Sequence, residues 1–352
     1  MFSRKKINQC KNNANDEPVK NDVTKEVCAA DKNADEFALP QVVGEPIYAF
    51  EPRFIDWLDL REKFSQRIDT SYRPDTIIDG WRTDDFIVRG VTLRGYDHRY
   101  YGVPRQDDFA IEVLDNGWIV AAVADGVSSA ALSHIAASLV VRYVVEFVSV
   151  YQVDRLEDVN SLWQDIFSGA AWTLVERARS ALSDENACSE DAEKLMATTL
   201  ACAVIAPSDT SGASACIAAV GDTGIWTVDS ASFEKILGGK ASSAEGISSS
   251  AVSGLPRVPD EVPSAIIRIT EDQALLLGSD GFGDPLGTGD GELGALFRNC
   301  LFPDIPSMLN FAHTLDFSRA TFDDDRTLVA IWPRKKEPRN ESEPSQPSNS
   351  IL

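Results

Sequence analysis

The sequence contains little that would place the chain in a membrane or in an oxidising compartment. It has no run of about 18 uncharged apolar residues, the length that a membrane-spanning helix needs. Its six cysteines lack the spacing of a metal site, and Cys202 and Cys216 lie in apolar runs, where a thiol acts as a small hydrophobic group. The basic start, MFSRKKINQC, has no apolar segment behind it. These absences favour a cytoplasmic protein with reduced thiols, without a secretory signal and without a membrane partner.

Positive charge is also scarce. The chain carries 33 Lys and Arg against 55 Asp and Glu, which gives a formal net charge of −22. Residues 1–38 are neutral overall and residues 333–352 carry +1, so the acidic excess lies in the middle of the chain. Such a body repels nucleic acid, and it has no basic stripe with interleaved aromatics, so we expect no nucleic-acid partner. Most of the excess serves solubility, and the remainder is available to bind cations.

Composition divides the chain into four segments. Residues 1–45 are rich in Asn, Lys, Asp and Glu, and residues 333–352 contain four prolines without periodicity, so both are predicted to be disordered arms. Residues 46–74 are predicted to be a linker with a short helix over FIDWLDLREKF. Residues 75–332 are predicted to form one folded domain.

The predicted domain combines apolar strands with long helices. Two successive helices are predicted from residue 133 to residue 182, and short apolar runs bounded by turn residues follow as buried strands. This order favours an α+β fold in which helices cover the sheets. Residues 238–265 form a long insertion of small residues, and loops of that length inside a domain are often functional.

Acidic residues stand at the ends of several predicted strands. Asp125 and Asp280 each end an apolar run and precede glycine, but neither Asp-Gly pair is followed by the alternating strand that a hairpin needs. Residues 107–108 precede another strand and residues 323–325 precede the last one. Each group alone is typical of a solvated strand end. Four such groups on adjacent strands would repel one another unless hard cations lay between them, so the pattern predicts a Mg²⁺ or Mn²⁺ site. Gly126, without a side chain, lets its carbonyl approach the metal.

Seven motifs resemble those of one enzyme family. They are QDD, VADGVSS, SHIAAS, ATTLA, AVGDTG, LLGSDGFGD and DDDRTLVAIW, spread over about residues 88–332. Their order resembles that of the metal-dependent protein Ser/Thr phosphatases of type 2C, especially the bacterial branch. No single motif is decisive, but seven in the family's order make the match specific. The resemblance implies a four-layer α-β-β-α sandwich, in which helices flank two central antiparallel sheets and a binuclear metal centre lies at one end.

The resemblance also implies roles for individual residues. Asp125 matches the aspartate that bridges two Mg²⁺ or Mn²⁺ ions, and Asp107 matches the acid that holds metal-bound water. Asp107, Asp125 and Asp280 are the expected catalytic residues, and Asp284 matches the position used for a weaker third ion. The full set of expected metal ligands is Asp107, Asp125, Gly126, Asp280, Asp284 and Asp324. Thr198, Thr199 and Asp222 match core motifs and are interpreted as mainly structural.

Three positions depart from the family pattern. Gly102 stands where the family usually has a phosphate-binding arginine, and Arg99, Arg105 or Arg94 could take over that task, with Arg99 ranked ahead of Arg105. Val127 stands where many members have a histidine, and Asp325 replaces the asparagine of the closing motif. The insertion at 238–265 matches the family's flap beside the substrate groove.

The sequence therefore predicts a Mg²⁺- or Mn²⁺-dependent protein phosphatase that hydrolyses phosphoserine and phosphothreonine. Its expected substrate is a phosphorylated protein, supplied by a Ser/Thr kinase. Two other functions stay open from the sequence. The missing arginine favours a catalytically weak pseudophosphatase or regulatory binding module, and a metal-dependent phosphatase for small molecules would use the same acids.

Overall fold

The computed structural model describes residues 40–53, 74–208, 211–238 and 254–334. The predicted helix at 54–64 lies outside these residues, as do most of both predicted arms and residues 239–253 of the insertion. The predicted disorder of the arms therefore stays a prediction. Within the predicted N-terminal arm, residues 40–45 are described and lie against the domain. The amide of Val43 donates to the carbonyl of Ser318 at 2.9 Å, and the Val43 side chain is buried.

The described residues form two antiparallel sheets. The strands are β1 (Thr76–Arg82), β2 (Phe86–Leu93), β3 (Asp108–Val113), β4 (Ile119–Ala124), β5 (Leu200–Pro207), β6 (Ala213–Val220), β7 (Gly224–Val228), β8 (Phe233–Leu237), β9 (Ser264–Ile269), β10 (Ala274–Gly278) and β11 (Arg326–Pro333). The six-stranded sheet has the order β1-β2-β11-β10-β7-β8, and the five-stranded sheet has the order β3-β4-β5-β6-β9.

The described residues form seven helices, and all but the first cover the outer faces of the sheets. They are α1 (Tyr96–Tyr101), α2 (Ser133–Tyr151), α3 (Leu156–Leu182), α4 (Ser189–Met196), α5 (Asp280–Leu286), α6 (Glu292–Leu301) and α7 (Met308–Leu315). Three apolar cores separate the four layers. One lies between α2, α3 and the five-stranded sheet, one lies between the two sheets, and one lies between the six-stranded sheet and α5–α7. This is the predicted four-layer α-β-β-α arrangement.

Strand β4 shows why the central runs are continuously apolar. Val120, Ala122 and Ala124 face the helices, whereas the alternate residues Ile119 and Val123 face the other sheet, and all are fully buried. A strand with a packed layer on both faces has no solvent side, so its sequence does not alternate with polar residues. The small alanines let the layers approach closely.

Helix α2 lies over this strand. By length and composition alone it could cross a membrane, but 56% of its apolar window is buried inside the protein, as in the core helix of a soluble protein. Leu139, Tyr143 and Phe147, which lie at steps of four along α2, are only partly buried and lie at the margin of the core. The fully buried face instead contains Val140, Val141 and Val144.

Candidate metal centre

The two sheets bring acid-bearing strand ends to one end of the sandwich. In the five-stranded sheet, Asp108 at the start of β3 pairs with Ala124 at the end of β4, so Asp107 and Asp125 lie on neighbouring strands. In the six-stranded sheet, Gly278 near the end of β10 pairs with Leu328 near the start of β11. This register places Asp280, which opens α5, at the same edge as residues 323–325.

Two groups of three side chains could each hold a cation. Their ligand atoms lie within 4.8 Å of one another in each group. The groups are Asp125, Asp222 and Asp280, and His98, Asp324 and Asp325. Asp107 belongs to neither group but lies near both, because the charges of Asp325, Asp324 and Asp280 all act on it.

Burial and crowding disfavour the ionised form of these acids. Desolvation, followed by the charge of Asp107 and its neighbours, holds the pKa of Asp125 well above its usual range. Desolvation and the charge of Asp325 do the same for Asp107. Desolvation and then Asp325 and Asp280 raise the pKa of Asp324 to about 7. Two carboxylates about 5 Å apart repel by roughly 3 kcal/mol at an effective dielectric constant of 20. The ionised cluster therefore requires positive charge.

The donor set fits a hard divalent cation. The Oδ2 atom of Asp107 is buried and has no hydrogen-bond partner among the described residues, whereas a hydrogen bond from Ser279 reaches its carboxylate. The grouped acids supply only oxygen ligands, which Mg²⁺ and Mn²⁺ prefer. The buried Oδ2 atom of Asp107, without a partner among the described residues and close to several other carboxylates, is the kind of ligand that a site for such an ion requires.

The chain fixes the backbone of Asp125 through the segment before β5. The Thr198 hydroxyl and the Thr199 amide each donate to the carbonyl oxygen of Asp125 at 2.8 Å, and the Asp125 amide donates to the Thr199 hydroxyl at 3.2 Å. Thr198 also exchanges two backbone hydrogen bonds with Leu255. The described end of the 238–265 insertion is thus attached directly beside the acidic cluster.

The glycine after Asp125 has a packing reason as well as the predicted chemical one. A Cβ atom on Gly126 would lie 2.8 Å from the carbonyl oxygen of Gln106 and 2.8 Å from the Cβ of Ser133. A Cβ atom on Gly281 would overlap the carbonyl oxygen of Asp325. Both Asp-Gly pairs therefore mark points where another backbone segment passes against the strand end.

Asp325, which replaces the family's asparagine, links three segments of the site. Its Oδ1 atom accepts from the amide of Gly95 at 2.6 Å and lies 2.9 Å from Nδ1 of His98, and its Oδ2 atom accepts from the amide of Gln106. Burial alone would lower the pKa of His98, but the hydrogen bond and charge of Asp325 raise it to about 9. Asp325 therefore favours the protonated form of His98.

The two predicted phosphate-binding arginines are both engaged in other contacts. Arg99 lies on α1, 3.0 Å from a carboxylate oxygen of Asp316, and its guanidinium stacks over Tyr96. Arg105 is buried and donates to the hydroxyl of Thr92 and to the carbonyl oxygen of Asp107. Arg105 thus supports the segment that carries Asp107, and Arg99, which is partly exposed, stays the predicted phosphate-binding residue.

Helix α1 gives a structural reason for the glycine at position 102. Gly102 is the residue that ends α1, with φ 74°, and its amide bonds the carbonyl of His98. An L-residue in this left-handed conformation costs roughly 1–2 kcal/mol, so glycine is favoured there. The position at which the resemblance implies an arginine is occupied here by the glycine that ends α1.

Two acids differ from the expected pattern. Asp284 is exposed, one turn after Asp280 on α5, and belongs to neither group of three, so its role at a third ion stays a prediction. Asp222, interpreted from the sequence as mainly structural, has a carboxylate oxygen within 4.8 Å of those of Asp125 and Asp280. The sequence pattern that identified Asp125 as a candidate ligand is also present at Asp222, because Asp222 follows the apolar run of β6 as Asp125 follows that of β4.

Comparisons with known proteins identify the family and the fold of the chain. A family model described as Protein phosphatase 2C matches residues 94–307, more than half of the chain. No curated protein sequence matches the chain. The solved structure of serine/threonine phosphatase Stp1 from Staphylococcus aureus is 17% identical, with a TM-score of 0.53, covering 74% of this chain and 98% of its own.

Two further solved structures give the same result. The catalytic domain of serine threonine protein phosphatase PstP, in complex with 2 manganese ions, is 16% identical with a TM-score of 0.52, covering 71% of this chain and 99% of its own. A bacterial serine phosphatase is 17% identical with a TM-score of 0.51, covering 71% of this chain and 98% of its own. At these identities the structures establish a shared fold.

Proposed function

This chain belongs to the protein phosphatase 2C family, and on that basis we propose that it is a metal-dependent phosphatase that removes phosphate from phosphoserine and phosphothreonine in proteins. Membership confirms the resemblance carried by the seven sequence motifs, and the two-sheet sandwich confirms the fold that it implied. The single observation that carries the proposal is the set of crowded carboxylates gathered from several strand ends, in which one buried oxygen of Asp107 has no hydrogen-bond partner among the residues that the structure describes.

The acids would hold two Mg²⁺ or Mn²⁺ ions. Asp125, Asp222 and Asp280 offer one group of oxygen ligands, and Asp324 and Asp107 offer the nearest others. Asp284 is the residue proposed for a weaker third ion. When bound, such ions neutralise phosphoryl oxygens and lower the pKa of water, which are the main needs of phosphate monoester hydrolysis.

The remaining residues hold this constellation in place. The free oxygen of Asp107 can accept a hydrogen bond from the water that attacks phosphorus, and Ser279 fixes the orientation of that carboxylate. Arg105 holds the Asp107 segment through its backbone carbonyl. Arg99 would bind the phosphate after it leaves Asp316. A protein Ser/Thr kinase is the class of enzyme that would supply the substrate.

A second function is favoured by one specific observation. The chain has no arginine at position 102, and the guanidinium of Arg105 is used inside the protein. A binding module that retains the fold with weak turnover would look similar at these positions. The acids argue for catalysis, because a binding module has no need to keep buried carboxylates that repel one another.

Hydrolysis of a phosphoserine peptide tests the proposal. We expect release of phosphate with Mn²⁺ or Mg²⁺, and none after the ions are removed with EDTA. Asp125→Asn should remove activity, whereas Asp290→Asn, a matched change at an exposed acid, should retain it. Full activity in EDTA would contradict the metal dependence. Metal binding without any turnover would favour the binding module.

A further inference from the structure

Strand β3 has an unpaired edge beside the acidic cluster. It lies at the end of the five-stranded sheet and pairs only with β4 among the described strands. The amide of Phe109 donates to the carboxylate of Asp108 at 3.0 Å, and that of Val113 donates to the carboxylate of Glu112 at 3.3 Å. Since alternate residues of a strand direct their backbone groups to the same side, Phe109, Ile111 and Val113 direct theirs to the free edge.

A groove of about 650 Å³ follows this edge. Residues 110–115 form one wall, and α2 forms the other with Arg142, Val145, Glu146 and Ser149. The hydroxyl oxygen of Ser149 is buried there and has no hydrogen-bond partner in the described part of the chain. The groove therefore combines backbone groups that are not paired with another strand, apolar side chains, and a hydroxyl without a partner among the described residues. These are the groups that bind an extended peptide.

The groove lies along the same strand that begins at the proposed active site. Residue 108 opens β3 directly after Asp107, and the groove begins at Ala110 and ends at Asp115. At about 3.3 Å per residue, Ala110 and Val113, the last residue of β3, lie roughly 10 Å and 20 Å along the strand from Asp107. A peptide whose phosphorylated residue lies at the acids would thus pair with this edge through the residues about three to six positions away.

The direction and the charge of the strand select one side of the peptide. Strand β3 runs away from the acids, so a strand antiparallel to it runs toward them. Antiparallel pairing is the more common and slightly more stable arrangement. The groove carries three acids, Glu112, Asp115 and Glu146, against Arg142. This balance favours a basic residue in the bound peptide.

We propose that the segment preceding the phosphorylated residue of a protein substrate binds as an added antiparallel strand along the free edge of β3, between that edge and α2. This inference rests on the proposed phosphatase function. Carbonyl groups of the peptide would accept from the amides of Phe109 and Val113, replacing the carboxylates of Asp108 and Glu112. Those carboxylates protect the edge from unspecific pairing in the free protein.

The first test compares two phosphoserine peptides of equal length and composition. One carries eight residues, including two lysines, before the phosphoserine, and the other carries them after it. We expect kcat/KM to be about tenfold higher for the first peptide, the gain of a few added hydrogen bonds. p-Nitrophenyl phosphate, which has no flanking residues, measures turnover independently.

The outcomes separate the two hypotheses. Equal kcat/KM for the two peptides, with p-nitrophenyl phosphate hydrolysed, overturns the strand-addition proposal and leaves the phosphatase function intact. No hydrolysis of any of the three compounds overturns the phosphatase function and this inference with it.

The second test examines main-chain pairing directly. N-methylation at successive positions of the preceding segment should lower kcat/KM at every second position and leave the intervening positions unaffected, because only alternate amides face β3. A loss at every position or at none overturns the added strand.

The third test examines the groove itself. Glu146→Arg should reverse the preference for lysine over glutamate in the preceding segment, whereas Asp304→Arg, an exposed acid between α6 and α7, should leave that preference unchanged. If both variants keep the wild-type preference, the groove does not bind the substrate. If the protein is instead a dimer that Glu146→Arg dissociates, the edge binds a second copy and the proposal is wrong.

Discussion

The carboxylate of Asp325 accepts two backbone hydrogen bonds and pairs with His98 at 2.9 Å. This single side chain joins the start of α1, the segment before Asp107 and the start of β11. Its charge is balanced within the protein by His98, whereas the charges of Asp107 and Asp125 are not balanced by any described basic group among their strongest influences. Asp325 therefore has a structural role in the site, whereas Asp107 and Asp125 are available to bind a cation.

The two candidate arginines should respond differently to substitution. Arg99→Ala should raise the KM for phosphopeptide about tenfold or more, if its charged hydrogen bonds to phosphate contribute ~1.5–3 kcal/mol. Its melting temperature should change little, because the pair with Asp316 is partly exposed. Arg105→Ala should instead destabilise the fold by about 2–4 kcal/mol, since it leaves the Asp107 carbonyl without its buried donor and leaves Thr92 with only the hydroxyl of Thr327 as a donor.

Steady-state kinetics and chemical denaturation of both variants measure these effects. Arg94→Ala is the comparison for the loss of stability in Arg105→Ala, because Arg94 is also a buried arginine. Its guanidinium bonds Asp75 and two carbonyl groups. A normal KM for Arg99→Ala together with a raised KM for a well-folded Arg105→Ala would reverse the assignment.

At the scale of single elements, α1 forms the segment in which the resemblance implies a phosphate-binding arginine. This six-residue helix is attached to the acidic end by the bond from Gly95 to Asp325 and by the amide of Asp97, which donates to the carbonyl of Asp323 at 2.9 Å. It ends at Gly102 with a left-handed residue. The left-handed backbone conformation at this position disfavours the arginine that the resemblance implies.

Gly102→Arg tests this account of the missing arginine. The substitution restores the family residue, but we expect it to lower the free energy of unfolding by roughly 1–2 kcal/mol, because φ there is positive. Gly291→Arg is the matched control, since Gly291 has φ −79° and nothing within 4 Å of an added Cβ. Equal stability of the two variants by denaturant unfolding would contradict the strain argument.

Much of the site could be predicted because its acids follow or precede apolar strands. Asp107, Asp125, Asp280 and Asp324 all carry that signal, and the sheet register brings them together. The pairing of His98 with Asp325 could not be predicted, because the two residues lie 227 positions apart. In addition, the helix that carries His98 is too short to leave a periodic pattern in the sequence. Asp222 carried the strand-end signal but was assigned to the core.

For the whole molecule, the four layers explain why the acids are tolerated. Three apolar cores fill the sandwich from α2 to α7, so the strand ends at one end are fixed by packing that does not depend on the acids themselves. The fold class could be predicted from the order of helices and strands. The sheet order could not, because neighbours such as β2 and β11 lie far apart in the chain.

The metal-free protein should become less stable as the pH rises. The folded state raises the pKa of Asp324 from 3.8 to about 7 and that of His98 from 6.5 to about 9. Both groups therefore bind protons more tightly when folded. The contribution of Asp324 is present below pH 4 and is lost as the pH rises to about 7, and that of His98 is lost between about 6.5 and 9.

Calorimetric melting in EDTA from pH 5 to pH 9 measures this dependence. Asp324→Asn should reduce the change of melting temperature with pH in the lower part of this pH range. Saturating Mg²⁺ should raise the melting temperature more at high pH than at low pH, because the cation replaces the protons. A metal-free protein that gains stability from pH 5 to pH 9 would contradict the assigned directions.

Calorimetric titration of the metal-free protein with Mn²⁺ tests the central claim most directly, because it needs neither substrate nor turnover. The account predicts binding of two ions per chain, loss of at least one of them in Asp125→Asn, and unchanged binding in Asp290→Asn. Absence of Mn²⁺ binding to the wild-type protein, or equal binding by the two variants, would contradict the claim that the gathered carboxylates form a metal centre.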